Sequence, residues 1–137
     1  MPELVDTSVW ARQFHPQVQP WFQQQLVAGE VAICGPIRLE LLHSARDLAE
    51  FRAKRLALDF LPEATIGPGE WARALQTYEL LAGVGKQHHR SVRHSDLLIA
   101  VAAEAAGMTL VHYDHDFDAI HGVTGQAMRW IAPRGTL

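Results

Sequence analysis

Short apolar runs alternate along this chain with longer segments whose apolar positions recur at helical spacing. Leu4-Val5 starts a short strand that ends at Asp6, after which Thr7 and Ser8 offer a helix cap. Residues 9–14 predict a short helical turn, stopped before Pro16, and residues 20–28 a helix with Pro at its start and Gly29 past its end. The apolar run 31–34 reads as a second buried strand, and Gly35-Pro36 then opens a helix carrying Ile37, Leu39, Glu40, Leu41 and Leu42. A more charged helix over about 46–58 places Leu48, Phe51, Leu58 and the stems of Arg52 and Arg55 on one packed stripe. Residues 64–66 suggest an edge strand, Gly67-Pro68-Gly69 a turn, and 70–81 a helix with Trp71, Leu75 and Tyr78 at helical spacing. The polar, basic stretch 83–94 reads as a loop. Ser95 is placed to cap a helix over 96–106 that Gly107 closes. Residues 109–113 form a strand that delivers Asp114, 116–120 a brief helix, and 127–131 a last strand.

Short β-branched strands separated by helices predict parallel βαβ units with helices on both faces. The expected fold is therefore α/β, a three-layer α/β/α sandwich around a central parallel sheet, with residues 1–137 as one domain. In such sheets ligands sit beyond the carboxyl ends of the strands, where the pattern puts Asp6 and Asp114.

At 137 residues and 48% hydrophobic, the chain can bury a core of its own. Its single cysteine, Cys34, excludes an intrachain disulfide and suits a reducing cytoplasm. No apolar run approaches the roughly 20 residues of a membrane helix; the longest, 97–106, is interrupted by Glu104. The first residues, MPELVDTSVW, lack a basic region followed by an apolar one, so no secretory signal is expected.

Each acid has an ordinary reading as well as a chemical one. Asp6 can be an Asx turn or cap, Glu40 can reach solvent, and Asp96 can complement a helix dipole. Asp114, Asp116 and Asp118 alternate with His115 and Phe117, and one of them can cap the following turn. Taken together, four acids at the ends of apolar elements can converge on one rim of a parallel sheet. Clustered carboxylates raise one another's pKa unless a cation neutralises them. An all-oxygen donor set suits Mg²⁺ or Mn²⁺, and the chemistry it supports is phosphodiester hydrolysis.

The formal charge of −3 argues against a dominant nucleic-acid surface, but its distribution changes that picture. Positions 84–95 hold Lys86, Arg90 and Arg93 with no acid; positions 95–128 hold Asp96, Glu104, Asp114, Asp116 and Asp118 with no Lys or Arg. The basic stretch, with His88, His89 and His94, is either a solvated loop or a rim that steers phosphates toward the acids. The histidines lack HExxH spacing and Cys34 has no partner, which disfavours zinc. Motifs for a serine hydrolase, a dinucleotide fold and a P-loop are absent. Trp10, Trp21, Trp71 and Trp130 read as packing residues.

LVDTSVW, the helix Glu40, SVRHSDLLIAVAAEAAGMTLVHYDHDFDAI and GQAMRWI together resemble PIN-domain ribonucleases, specifically the VapC-like toxins of bacterial toxin–antitoxin pairs. The resemblance covers almost the whole chain. It implies a PIN-like α/β/α sandwich, an acidic pocket that binds Mg²⁺ or Mn²⁺ and cleaves RNA, and a small antitoxin as partner. The family's first aspartate matches Asp6, its helix glutamate Glu40, the aspartate opening its D-x-x-I-A-A helix Asp96, and its final acid Asp114. Asp116 is implied as a further or alternate ligand, and Ser8 as the hydroxyl residue that orients the first aspartate. Arg90, Arg93 and His94 fall where the family places basic residues, alongside Ser8 as candidates to contact substrate. Tyr113 departs from the family, which often has Thr or Ser before the last acid. Family members are usually dimers.

The expected activity is that of a metal-dependent endoribonuclease. Asp6, Asp96 and Asp114 would hold the metal, and Glu40 would hold or activate the attacking water. The alternative from another class is a non-catalytic RNA-binding or protein-interaction module on the same fold, which would show no Mg²⁺-dependent cleavage. A phosphatase or haloacid-type hydrolase using Asp6 as nucleophile wants D-x-D, whereas the chain has Asp6-Thr7-Ser8.

Overall fold

The structure is a computed structural model that describes residues 1–85 and 87–137. Four parallel strands, β1 (Glu3–Val5), β2 (Val31–Ala32), β3 (Leu110–His112) and β4 (Met128–Trp130), form one sheet in the order β2-β1-β3-β4. Leu4 faces Ala32 on one side and Leu110 on the other, and Val111 faces Arg129. The helices between them are α1 (Thr7–Trp10), α2 (Gln19–Val27), α3 (Gly35–Leu42), α4 (Leu48–Leu58), α5 (Pro68–Val84), α6 (His88–Ser91), α7 (His94–Ala106) and α8 (Asp116–Thr124).

The period-two alternation of the strands sorts the core into two layers. Val5, Val31 and Val111 pack with Val9, Val18 and Phe22 of the α1–α2 side. Leu4, Ala32 and Leu110 pack with Ile37, Leu81, Ile99, Ala103, Phe117 and Ile120 from α3, α5, α7 and α8. The expected three-layer sandwich is the fold observed. α7 is buried along most of its length, and its alanines let it lie close to both the sheet and α5. Gly107, at φ 67°, ends it in the left-handed conformation that glycine adopts without strain. Among the described residues no helix is long and apolar enough to cross a membrane.

Several local expectations change. Residues 64–66 make no strand: one parallel bridge, Ile33 to Glu63, is all that extends β2. Gly67 and Pro68 open α5 instead of making a free turn, because proline's fixed φ suits the first helical position. The stretch expected as loop carries the last two residues of α5, all of α6 and the first residue of α7; Lys86, counted with its basic residues, lies outside the described residues. α7 begins at His94, one residue before Ser95, and its N-cap, Arg93, makes no side-chain capping bond. The stripe on α4 is not packed: Leu58 is buried, but Leu48 and Phe51 are exposed. On α5 the buried face is Ala74, Thr77 and Leu81, so Trp71 is 59% and Leu75 73% exposed.

Candidate metal centre

Parallel pairing places the carboxyl ends of β1 and β3 side by side, and the acids emerge there. Asp6 follows β1 directly, and its backbone N–H still donates to the Val111 carbonyl at 2.9 Å. The cap of α1 is Asp6 itself, not Thr7 or Ser8: its Oδ2 accepts from the Ser8 N–H at 3.0 Å and from the Ser8 hydroxyl at 2.6 Å. The same hydroxyl accepts the Tyr113 N–H at 2.9 Å. Ser8 thus ties the first acid to the backbone just before Asp114. Asp6 is only 3% exposed, and its Oδ1 is buried with no hydrogen-bond partner among the described residues. Burial pushes the Asp6 carboxyl above its ordinary pKa, the Ser8 bonds pull against that, and the charges of Glu40 and Asp114 add to the rise.

Glu40 projects from α3, half-buried, and its Oε2 accepts the Thr7 hydroxyl. Asp96 lies in the first turn of α7 and is 1% exposed. Desolvation drives its pKa up to about 7; Arg93 opposes the rise, and the charges of Asp6 and Asp114 reinforce it. Asp114 follows β3, where its Oδ1 accepts the Asp116 N–H at 3.0 Å, an Asx turn that starts α8. Arg93 reaches both Asp96 Oδ2 and Asp114 Oδ2, at 3.4 Å each. Asp114, His115 and Asp116 can each present a ligand atom within 4.8 Å of the others.

Asp6, Glu40, Asp96 and Asp114 lie near enough on this rim for their charges to raise the Asp6 and Asp96 carboxyls, with Asp116 beside Asp114; among the described residues only Asp114, His115 and Asp116 bring three ligand atoms within 4.8 Å of one another. Arg90, Arg93 and His94 line a neighbouring cleft of 310 Å³ with Tyr78, Ser91 and Val92. Asp118 stands apart, accepting the Trp130 indole N–H. Three residues of the site lie outside the expected set: His115, able to offer a ligand atom beside Asp114 and Asp116, Thr7 and Arg12. Thr7 fixes Glu40; its position between Asp6 and Ser8 was the available signal. Arg12 donates to the Ser8 carbonyl at 2.7 Å and stacks on the Tyr113 ring, its centre 4.4 Å away. The Tyr113 hydroxyl accepts the Leu137 N–H, so this departure from the family pattern anchors the chain's last residue.

A donor set of carboxylates with His115 at its edge, one buried, unpartnered carboxylate oxygen and a second carboxyl pushed toward neutrality fits a divalent cation. The family model described as PIN domain matches residues 4–123. Ribonuclease VapC18 of Mycobacterium tuberculosis is 41% identical over 133 residues, spanning 97% of each chain. Ribonuclease VapC51 of the same organism is 38% identical, over 98% of this chain and 96% of its own. A chain from the crystal structure of DNA bound VapBC from Salmonella typhimurium superposes with a TM-score of 0.73 at 16% identity, covering 96% of this chain and all of its own, and shares the fold. The chain belongs to the PIN-domain family and, within it, to the VapC ribonucleases.

Proposed function

We propose that this chain is a metal-dependent endoribonuclease and the toxin of a toxin–antitoxin pair, working as one domain in the cytoplasm. The observation that carries the metal is Asp6, buried with an unpartnered oxygen beside Asp96 and Asp114. Asp6, Asp96 and Asp114, with Asp116, would hold Mg²⁺ or Mn²⁺. Such an ion lowers the pKa of a bound water and offsets charge building on the phosphoryl oxygens.

The protein's own groups divide the remaining work. Ser8 holds Asp6 in one rotamer and locks it to the β3 end. Thr7 occupies one oxygen of Glu40, leaving the carboxylate aimed and able to take the proton of the attacking water. The water oxygen would attack phosphorus in line, the bond to the 3′ oxygen would break, and that oxygen would take a proton from solvent water, giving a 5′-phosphate and a 3′-hydroxyl. Arg90, Arg93 and His94 line the cleft where the RNA backbone would run.

The partner reading rests on the relatives. Solved structures of similar fold include a toxin–antitoxin complex from Klebsiella pneumoniae. Here α5 turns Trp71 and Leu75 outward into a cleft with Ala74, Tyr78, Leu97 and Leu98, an apolar surface suited to a small antitoxin or to a second copy of the chain. The test of the activity is Asp6→Asn. This variant should fold with the wild-type circular dichroism spectrum and lose Mg²⁺-dependent RNA cleavage; undiminished cleavage would overturn the assignment.

A further inference from the structure

Among the described arginines and lysines, Arg93 alone bonds to the carboxylate cluster. Its Nε lies 3.4 Å from Asp96 Oδ2 and its Nη2 3.4 Å from Asp114 Oδ2. Both contacts are long for a guanidinium on a carboxylate, which typically closes to about 2.7–2.9 Å. The molecule makes tighter pairs elsewhere: Arg73 meets Glu104 at 2.8 and 3.2 Å, and Arg129 meets Glu3 at 2.9 and 3.0 Å. The Arg93 side chain is 65% exposed, although the Asp96 carboxyl it approaches is buried. The same side chain also lines the cleft with Arg90 and His94. One loosely held cation therefore borders both the acids and the basic cleft.

We propose that Arg93 is an exchangeable counter-cation of this cluster: it yields Asp96 and Asp114 to the divalent ion and then takes a backbone phosphate of the RNA in the neighbouring cleft. This inference rests on the metal-dependent ribonuclease reading above. A guanidinium and a divalent ion on the same two carboxylates repel each other, so binding of one disfavours the other. Letting go costs α7 nothing at its cap, because Arg93 serves there through its backbone and makes no side-chain capping bond. A guanidinium freed at the rim presents a planar fork that matches phosphate oxygens. Metal and RNA then strengthen each other's binding, and the coupling is reciprocal.

The test uses the full chain and its Arg93→Gln and Arg93→Lys variants, with Mn²⁺ affinity followed by electron paramagnetic resonance. RNA affinity is followed by fluorescence anisotropy with a phosphorothioate oligonucleotide. Arg93→Gln should bind Mn²⁺ tighter, on the order of tenfold, while Arg93→Lys, which keeps the charge, should stay near wild type. Mn²⁺ should raise the RNA affinity of the wild type by a larger factor than that of Arg93→Gln, and an equal factor in both would overturn the hand-over of Arg93 to the phosphate. Equal Mn²⁺ affinity in wild type and Arg93→Gln would overturn the counter-cation role and leave the metal site standing. Weaker binding in Arg93→Gln would also overturn it, making Arg93 a positioning residue for the two acids. Tightening by Arg93→Lys to the extent seen with Gln would remove charge as the cause. If no form binds Mn²⁺, the metal-dependent reading itself fails, and this inference with it.

Discussion

Asp96 and Glu104 sit near opposite ends of α7, and the molecule treats their charges in opposite ways. Glu104 is about a third exposed and is gripped by two bonds from Arg73 of α5. Asp96 is buried, has among the described residues only the long side-chain contact from Arg93, and is pushed toward neutrality with a pKa of about 7. The helix dipole works against this ranking, since it favours an acid in the first turn and disfavours one near the last. That contribution is roughly 0.3–1 kcal/mol, well short of the cost of taking a carboxylate out of water. Desolvation wins at Asp96. The chain can pair a charge well where the pair serves only the fold, so the poor pairing at Asp96 belongs to the site, not to a lack of cations.

The largest break of this contrast is Asp96→Asn. It should cost cleavage more than the roughly 10–100-fold typical of groups that merely support a metal ligand. In chelator it should also change the pH dependence of stability. The folded-state pKa lies above the ordinary 3.8, so the folded chain holds a proton that the unfolded chain has released. Stability from this group is full below about pH 4 and is lost as pH rises to about 7, a few kcal/mol in order of magnitude. Thermal melts between pH 4.5 and 8 should show wild type losing stability more steeply than Asp96→Asn, with the variant melting higher at pH 8. Parallel curves would remove desolvation as the cause.

Much of this site could be read from the sequence because parallel strands deliver whatever follows them to one rim. Asp6 after Leu4-Val5, and Asp114 after the strand ending near His112, needed only strand ends to be placed. Asp96 was readable from the apolar residues that follow it, which bury the helix whose first turn it occupies. The helix faces were harder. α5 buries Ala74, Thr77 and Leu81 against the alanine-rich α7, where small side chains permit close approach, and this turns the larger Trp71 and Leu75 outward. Size and hydrophobicity alone point to the opposite face. The cap of α1 was misplaced for a related reason: Asp6, Thr7 and Ser8 can all cap, and the choice fell to the Tyr113 N–H, which is remote in sequence and claims the Ser8 hydroxyl.

A smaller effect is expected from Ser8→Ala, which leaves every carboxylate in place. The change removes the 2.6 Å bond to Asp6 Oδ2 and strands the Tyr113 N–H. A donor left without a partner costs about 1–3 kcal/mol of stability when buried, and the half-buried setting here points to the lower part of that range. Asp6 then keeps only the Ser8 backbone N–H to fix its orientation. Cleavage should fall by roughly 10–100-fold, with metal affinity falling in step. Chemical denaturation and Mn²⁺ titration on the same preparation measure the two together. A loss of stability with unchanged metal affinity would make Ser8 a strut of the sheet edge and no part of the metal site.

The smallest effect should come from the other end of α7. Arg73 and Glu104 meet with good two-bond geometry, but both are about a third exposed, so water screens the pair and competes for each head group. Pairs in that setting contribute roughly 0.2–1 kcal/mol. Arg73 also donates to Gln76 within α5, a bond that Arg73→Ala loses and Glu104→Gln keeps. Arg73→Ala should therefore be the more destabilising of the two, and the coupling in a double-mutant cycle should stay below about 1 kcal/mol. RNA cleavage and Mn²⁺ affinity should match wild type in all three variants, since neither residue contacts the carboxylate cluster. A drop in cleavage without loss of stability would mean that α5 transmits its packing on α7 to Asp96. The two ends of the helix would then be one device, and the contrast between a folding charge and a working charge would fail at the place where it is drawn most sharply.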